Sequence, residues 1–380
     1  SNMGRILDGL VVNSPQRDFA NPKRGSYLLI YPDVNGVLDA LQPLIDWRTR
    51  SGWEVHLQEV GNNANTGTVK RHIQTAYDEW DNPPEMVALV GDADGTIAIS
   101  AYNQTDHDYV MLDGNDILAD AIIGRLSVSS TQELSRVVAK IVGYESDPYM
   151  GENNDDTGWF SEGMVCAGNQ ISGLSTILVN RWVKYELEAR GFNDIHACYY
   201  NARFQNQNVR QFFESEFARG VLFSNYRGWV GIEELDPNQV MNFRAHAKYP
   251  TVILLTCSSG NYINTFGFTE AFFRSRGGGT GAVGLCTNNT HVQFNNAVST
   301  GIWVGILKED IFTFGTAVNR GRLELWRQYT GFKNNDVNNF SRWTNLMGDP
   351  ATHIYTGVPE IVTAEFAETI STGESYFRIE

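Results

Sequence analysis

The sequence predicts an α/β fold built in two units, each a mostly parallel sheet flanked by helices, and three observations carry that expectation. Short runs that are apolar at every position, closed off by turn residues, recur along the chain, and strands buried on both faces of a parallel sheet read this way. Between the runs lie stretches whose apolar residues fall at helical spacing. The alternation stops at a polar segment near residue 150 and then begins again.

Residues 1–24 read as an N-terminal extension, with no apolar leader ahead of Met3. The first unit, 25–150, offers strands at 27–31, 86–90 and 121–123. A helix at 39–50 puts Leu41, Leu44, Ile45 and Trp47 on one side, and a helix at 68–80 does the same with Val69, Ile73, Ala76 and Trp80. Ser130-Thr-Gln-Glu133 is a capping-box pattern that opens a further helix, with Val137, Val138, Ile141 and Val142 facing inward. Residues 146–158 carry turn formers and acids with little to bury, which makes them a connector. The second unit, 151–357, restarts with a strand at 164–167, a helix at 174–188 with Leu178, Trp182 and Tyr185 inward, a strand at 195–199 and a helix at 209–218. Three more strands follow, at 221–226, 251–257 and 282–286. Beyond 357 the composition turns to Val, Thr, Glu and Ser in short strand-like pieces, so 358–380 read as the start of a truncated β domain.

Composition narrows the function classes. In a chain of 380 residues, 42% hydrophobic with 19% charged is globular rather than disordered. No stretch approaches the roughly 18 consecutive apolar residues of a membrane span. The net charge of −15, without clustered Lys or Arg, argues against nucleic acid as a partner. Four cysteines are too few and too scattered for a disulfide scaffold, and none has zinc-site spacing. Cys166, Cys198 and Cys286 lie in or at the end of apolar runs and read as small buried hydrophobes. Cys257 differs because it ends the run 251–256 and is followed by Ser258-Ser-Gly-Asn261. Ligands of open parallel sheets bind beyond the carboxyl ends of the strands, which singles out three tips: 225–231, 257–261 and 287–291.

Several motifs together resemble one family. Met86-Val-Ala-Leu-Val-Gly-Asp92, Asp108-Tyr109, Gly114-Asn-Asp116, Ile123-Gly-Arg125, Asn225-Tyr-Arg-Gly228, Cys257, Phe268-Thr-Glu-Ala271 and Gly348-Asp-Pro350 follow the order of the gingipain family of cysteine peptidases over about residues 25–357. The resemblance implies a caspase-like fold, an immunoglobulin-like domain following the catalytic one, a secreted or surface-attached protein, and a peptide or protein substrate. It implies Cys257 as the nucleophile. It requires no cofactor, although structural calcium is known in such domains, and Asp113, Asn115, Asp116 and Asp120 have suitable oxygen-donor spacing without the full EF-hand pattern.

Three departures from that family bear on chemistry. The resemblance places the general base in a Gly-His-Gly turn after the Asn-Tyr-x-Gly strand, and here the turn reads Gly228-Trp229-Val230-Gly231, with no histidine between Tyr226 and His246. An indole offers only an N–H donor and cannot take a proton at neutral pH. The acid that selects basic substrates would fall near Ser175-Thr176-Ile177, and the acid that orients the base would follow the strand containing Cys166; neither stretch carries Asp or Glu. Two function classes follow. One is a cysteine endopeptidase of non-basic specificity, with His291 as candidate substitute base. The other is a pseudo-peptidase that binds peptide or glycan in an aromatic-lined cleft containing Trp229, Tyr226, Tyr262 and Phe294, with Gly228 and Thr176 also counted among its substrate-cleft residues.

Overall fold

The seven residues of Ser26–Pro32 are buried at every position and form β1, the first of ten strands. The structure is a computed structural model and describes residues 25–360 apart from 104, 169, 170, 172, 201–207, 245 and 288–290. The expected N-terminal extension and all but the first residues of the expected β domain lie outside those bounds. Helix α1 (Val37–Arg50) leads from β1 to β2 (Glu54–Val60), and α2 (Thr66–Glu79) leads on to β3 (Pro84–Val90). After β4 (Ile122–Leu126) comes α3 (Thr131–Ser146), where the Ser130 side chain accepts from Glu133 N as the capping pattern predicts. The second half runs β5 (Glu162–Ala167), α4 (Leu174–Ala189), β6 (Asp194–Tyr199), α5 (Val209–Arg219), β7 (Phe223–Arg227), a single turn α6 (Pro237–Val240) and β8 (Thr251–Leu254). It closes with α7 (Phe268–Arg274), β9 (Gly281–Leu285), α8 (Val292–Lys308), α9 (Phe314–Tyr329), α10 (Asn334–Trp343) and β10 (Thr344–Gly348).

The expectation of two separate sheets is corrected here. The strands join one ten-stranded sheet in the order β2-β1-β3-β4-β10-β9-β8-β7-β5-β6. The cause is β10, which returns from the end of the second half to lie between the two: parallel to β4 through Met347↔Arg125, and antiparallel to β9 from Thr344↔Leu285 to Gly348↔Gly281. All other neighbours pair parallel. The one antiparallel joint reverses direction, so β5–β9 end at the opposite edge of the sheet from β1–β4. Helices cover both faces, and four apolar clusters fill the layers between them.

The predicted inward face of the helix at 174–188 is also corrected. Leu178 and Tyr185 are 60% and 65% exposed, Trp182 is half-buried, and the residues turned into the core are Ile177, Val183 and Leu187, with Thr176 and Asn180. Helix α4 has apolar residues on two sides, so its sequence allows either stripe to face in. The contact with α8 and β5 selects one.

One buried cation gives the fold a pH signature. Lys140 of α3 donates to the carbonyls of Phe273 and Ser275 at the end of α7, and burial lowers it from 10.5 to about 7. Between about pH 7 and 10.5 the unfolded chain holds this proton and the folded chain does not, so stability is expected to rise with pH across that window. Urea midpoints measured across it check the expectation; Lys140→Met should flatten the rise.

Candidate active site

The apolar run 251–256 drives β8 into the middle of the second half, and Cys257 emerges where the strand gives way to a turn. Regular pairing ends at Leu254, but 255–257 stay buried, and a parallel bridge joins Cys257 to Val230. The Cys257 carbonyl accepts from Gly231 N at 2.7 Å. Ser258 then takes a left-handed φ of 61°, a conformation that costs a non-glycine residue about 1–3 kcal/mol and recurs at functional turns. Its amide donates to Thr287 O at 2.6 Å, and Gly260 N donates to Leu285 O at 3.0 Å, fastening the turn to the end of β9. A Cβ on Gly260 would lie 2.8 Å from the Gly284 backbone, so this approach requires glycine.

The 228–231 turn therefore stands in backbone contact with Cys257. Trp229 sits in it, half-buried. Gly228 leaves no room for a side chain, because a Cβ there would lie 2.3 Å from the Tyr226 hydroxyl.

Sequence reasoning passed over the residues that surround the sulfur. Arg227 at the end of β7 is completely buried, with Nε and Nη2 donating to Asn296 Oδ1 at 3.2 and 2.7 Å and Nη2 to Val292 O at 3.3 Å. Burial pulls it down to about 10, so it stays charged at neutral pH, and Cys257 acts on it in the opposite sense. Cys257 is pushed up from the ordinary thiol value by burial, against the pull of Arg227, a backbone hydrogen bond and one from the Asn295 side chain. Arg227 occupied the variable position of the Asn-Tyr-x-Gly motif, and its signal was a charge closing an otherwise apolar strand. Asn295 and Asn296 belong to α8, whose buried residues fall all round it and leave no periodicity to read.

The other expected site residues lie as follows. Tyr226 and Phe294 are core residues; the Tyr226 hydroxyl accepts from Glu233 N at 3.0 Å, and the Phe294 ring packs against Tyr329 and Phe340. Thr176 is buried and donates to Gly173 O at 3.1 Å. Tyr262 is buried as well, its hydroxyl donating to Asp106 at 3.0 Å, yet it lines a cavity of about 350 Å³ with Asn261, Ile263, Asn264, Thr265, Cys286, Thr287 and Trp343. This cavity adjoins the turn after Cys257. His291 is exposed at the start of α8, with its ring edge-on to Phe294 and Phe340. Other imidazoles are engaged elsewhere: His107 with Ile117 O, His196 with Asp194 and Glu216, His246 with Phe217 O. The expected calcium ligands Asp113, Asp116 and Asp120 accept from backbone amides of their own loop. Among the described residues, no three His, Cys, Asp or Glu side chains gather as a metal site would need.

With the Cys257 turn in view, the comparisons are decisive on kinship. The sequence profile of peptidase family C25 matches residues 20–355. The chain belongs to peptidase family C25. It is 22% identical to gingipain R2 of Porphyromonas gingivalis over 368 residues, covering 89% of this chain and 47% of that protein. It is 24% identical over 204 residues to Lys-gingipain W83 of the same organism, covering 50% of this chain and 11% of that protein. The chain thus spans about half the length of gingipain R2. The crystal structure of the Arg-specific cysteine proteinase gingipain R superposes with a TM-score of 0.81 at 18% identity, covering 94% of this chain and 86% of that one. The complex of the pro- and mature domains of that proteinase also gives 0.81, at 19% identity over 93% of this chain and 86% of its counterpart. The caspase-like fold expected from the sequence is thereby established for this C25 domain. No helix among the described residues is long and apolar enough to cross a membrane.

Proposed function

We propose that this is a C25 domain that retains the peptide-binding frame of a cysteine peptidase and has lost most or all of its turnover. The observation that carries the reading is the contact between the 228–231 turn and Cys257: the segment that meets the nucleophile bears the indole of Trp229. A cysteine peptidase needs a thiolate and a group to exchange its proton. Here burial holds the thiol high, and neither guanidinium nor carboxamide takes a proton at neutral pH. The ring contacts of His291 with Phe294 and Phe340 favour a packing role for it over that of substitute base. The cavity beside Tyr262, next to the nucleophile turn, suits an uncharged peptide segment. We read the domain as exported and followed by an immunoglobulin-like domain, as its resemblance to the gingipain family implies.

Competitive alkylation tests the reading. At pH 7, iodoacetamide is expected to modify Cys257 no faster than free cysteine, with His291→Ala leaving the rate unchanged. Modification a hundredfold faster would mark an activated thiolate and return the domain to the active peptidases.

A further inference from the structure

A guanidinium buried without a carboxylate is expensive to desolvate, and a neighbouring group that can become an anion relieves that cost. Arg227 has no carboxylate partner among the described residues. Asn296 and the Val292 carbonyl take Nε and Nη2, while Nη1, equally buried, has no hydrogen-bond partner. The same turn of α8 that clamps the guanidinium sends the neighbouring Asn295 to Cys257, so one helix end positions both groups. The turn that meets the Cys257 backbone, 228–231, carries no ionisable side chain, and the amide of Ser258 is held by the Thr287 carbonyl.

We propose that the Arg227 guanidinium is the countercharge of the Cys257 sulfur, a positioning residue that holds the thiolate beside Nη1. This rests on the reading that an indole has taken the place of the base. On ionisation, Sγ–H gives its proton to water and the electron pair stays on sulfur; the guanidinium remains protonated throughout and carries no proton in either direction. The resulting thiolate is stabilised without a proton carrier. That arrangement permits attack on an acyl donor whose leaving group departs as an anion, and supplies no proton to an amine leaving group.

Ultraviolet thiolate absorbance titrated against pH tests this, with Cys257→Ser subtracted to remove the other thiols. In Arg227→Gln the midpoint is expected to rise by about one pH unit or more, with Arg227→Lys recovering most of the shift. If circular dichroism shows that Arg227→Gln does not fold, Asn296→Ala decides, since it releases the clamp and keeps the charge: a raised midpoint supports the inference and an unmoved one overturns it. A native midpoint above about 8, left in place by a folded Arg227→Gln, overturns the inference alone. A native midpoint near about 6.5, also left in place, reports an imidazole and overturns the inference together with the reading beneath it.

Discussion

Trp229→His is expected to accelerate iodoacetamide modification of Cys257 at neutral pH by at least about tenfold. A correctly placed base typically contributes about 10²–10⁴ to rate, and the lower figure reflects the missing acid that would orient the new ring. The backbone fixes the placement: Val230 is bridged to Cys257 and Gly231 N donates to its carbonyl, so residue 229 must lie at the nucleophile turn. Imidazole is smaller than indole, and Trp229 is half-buried, so the exchange needs no repacking of the core. The gain should appear as an alkaline limb near the histidine range and vanish in the double variant with Cys257→Ala. An unchanged rate would mean that the side chain at 229 points away from the sulfur.

Arg125→Met is expected to destabilise the domain by about 3–5 kcal/mol, the range for stripping one partner from a buried ion pair. Arg125 is fully buried; Nε and Nη2 grip both oxygens of Asp106 at 2.8 and 2.6 Å, and Nη1 donates to the carbonyls of Gly91, Asp92 and Ile99. Without it, Asp106 keeps a buried charge facing the Tyr262 hydroxyl. Arg125→Lys should recover little, because an ammonium cannot span the two carboxylate oxygens and three carbonyls. Urea unfolding with an unchanged slope checks the value. A loss below about 1 kcal/mol would mean that water reaches this pair. Because Tyr262 belongs to the loop that follows Cys257, the same variant is expected to loosen the nucleophile turn.

This lock explains why the motifs were readable before their roles were. Ile123-Gly-Arg125 holds Asp106; Gly348-Asp-Pro350 presents Asp349 to Arg48, which also grips Glu145; Phe268-Thr-Glu-Ala271 presents Glu270 to Arg274 and Ser127. Each ties one half of the sheet to the other or anchors a loop beneath the site, so a family signature made mostly of structural ties identifies the fold without reporting on catalysis. The proposed loss of turnover turns instead on position 229, where the sequence has Trp.

The eight strands anticipated from apolar runs all exist; in seven of them burial leaves a hydrophobic segment, while β6 at the sheet edge is only partly buried. The two that escaped, β2 and β10, escaped for opposite reasons. Glu-Val-His-Leu-Gln-Glu-Val at the sheet edge alternates with charge and is largely uncovered. Thr344–Gly348 is completely buried but opens on the polar pair Thr344-Asn345, and its place between β4 and β9 is a long-range choice that local pattern does not encode. At the site, the positions of Cys257 and of the 225–231 and 257–261 tips at strand ends were legible because strand ends announce themselves; 288–290 of the third tip lie outside the described residues. The aromatic cleft was legible only in Tyr262, which lines the cavity, since Tyr226 and Phe294 look the same in sequence whether they line a groove or fill a core.

Cleavage of a peptide mixture covering every residue type at the scissile position tests the central claim most directly, with the Cys257→Ala domain as reference. The account predicts matching product profiles from the two proteins, because the turn that meets Cys257 is read as bearing an indole in place of the proton acceptor. Peptide bonds cut by the native domain and spared by Cys257→Ala would contradict it.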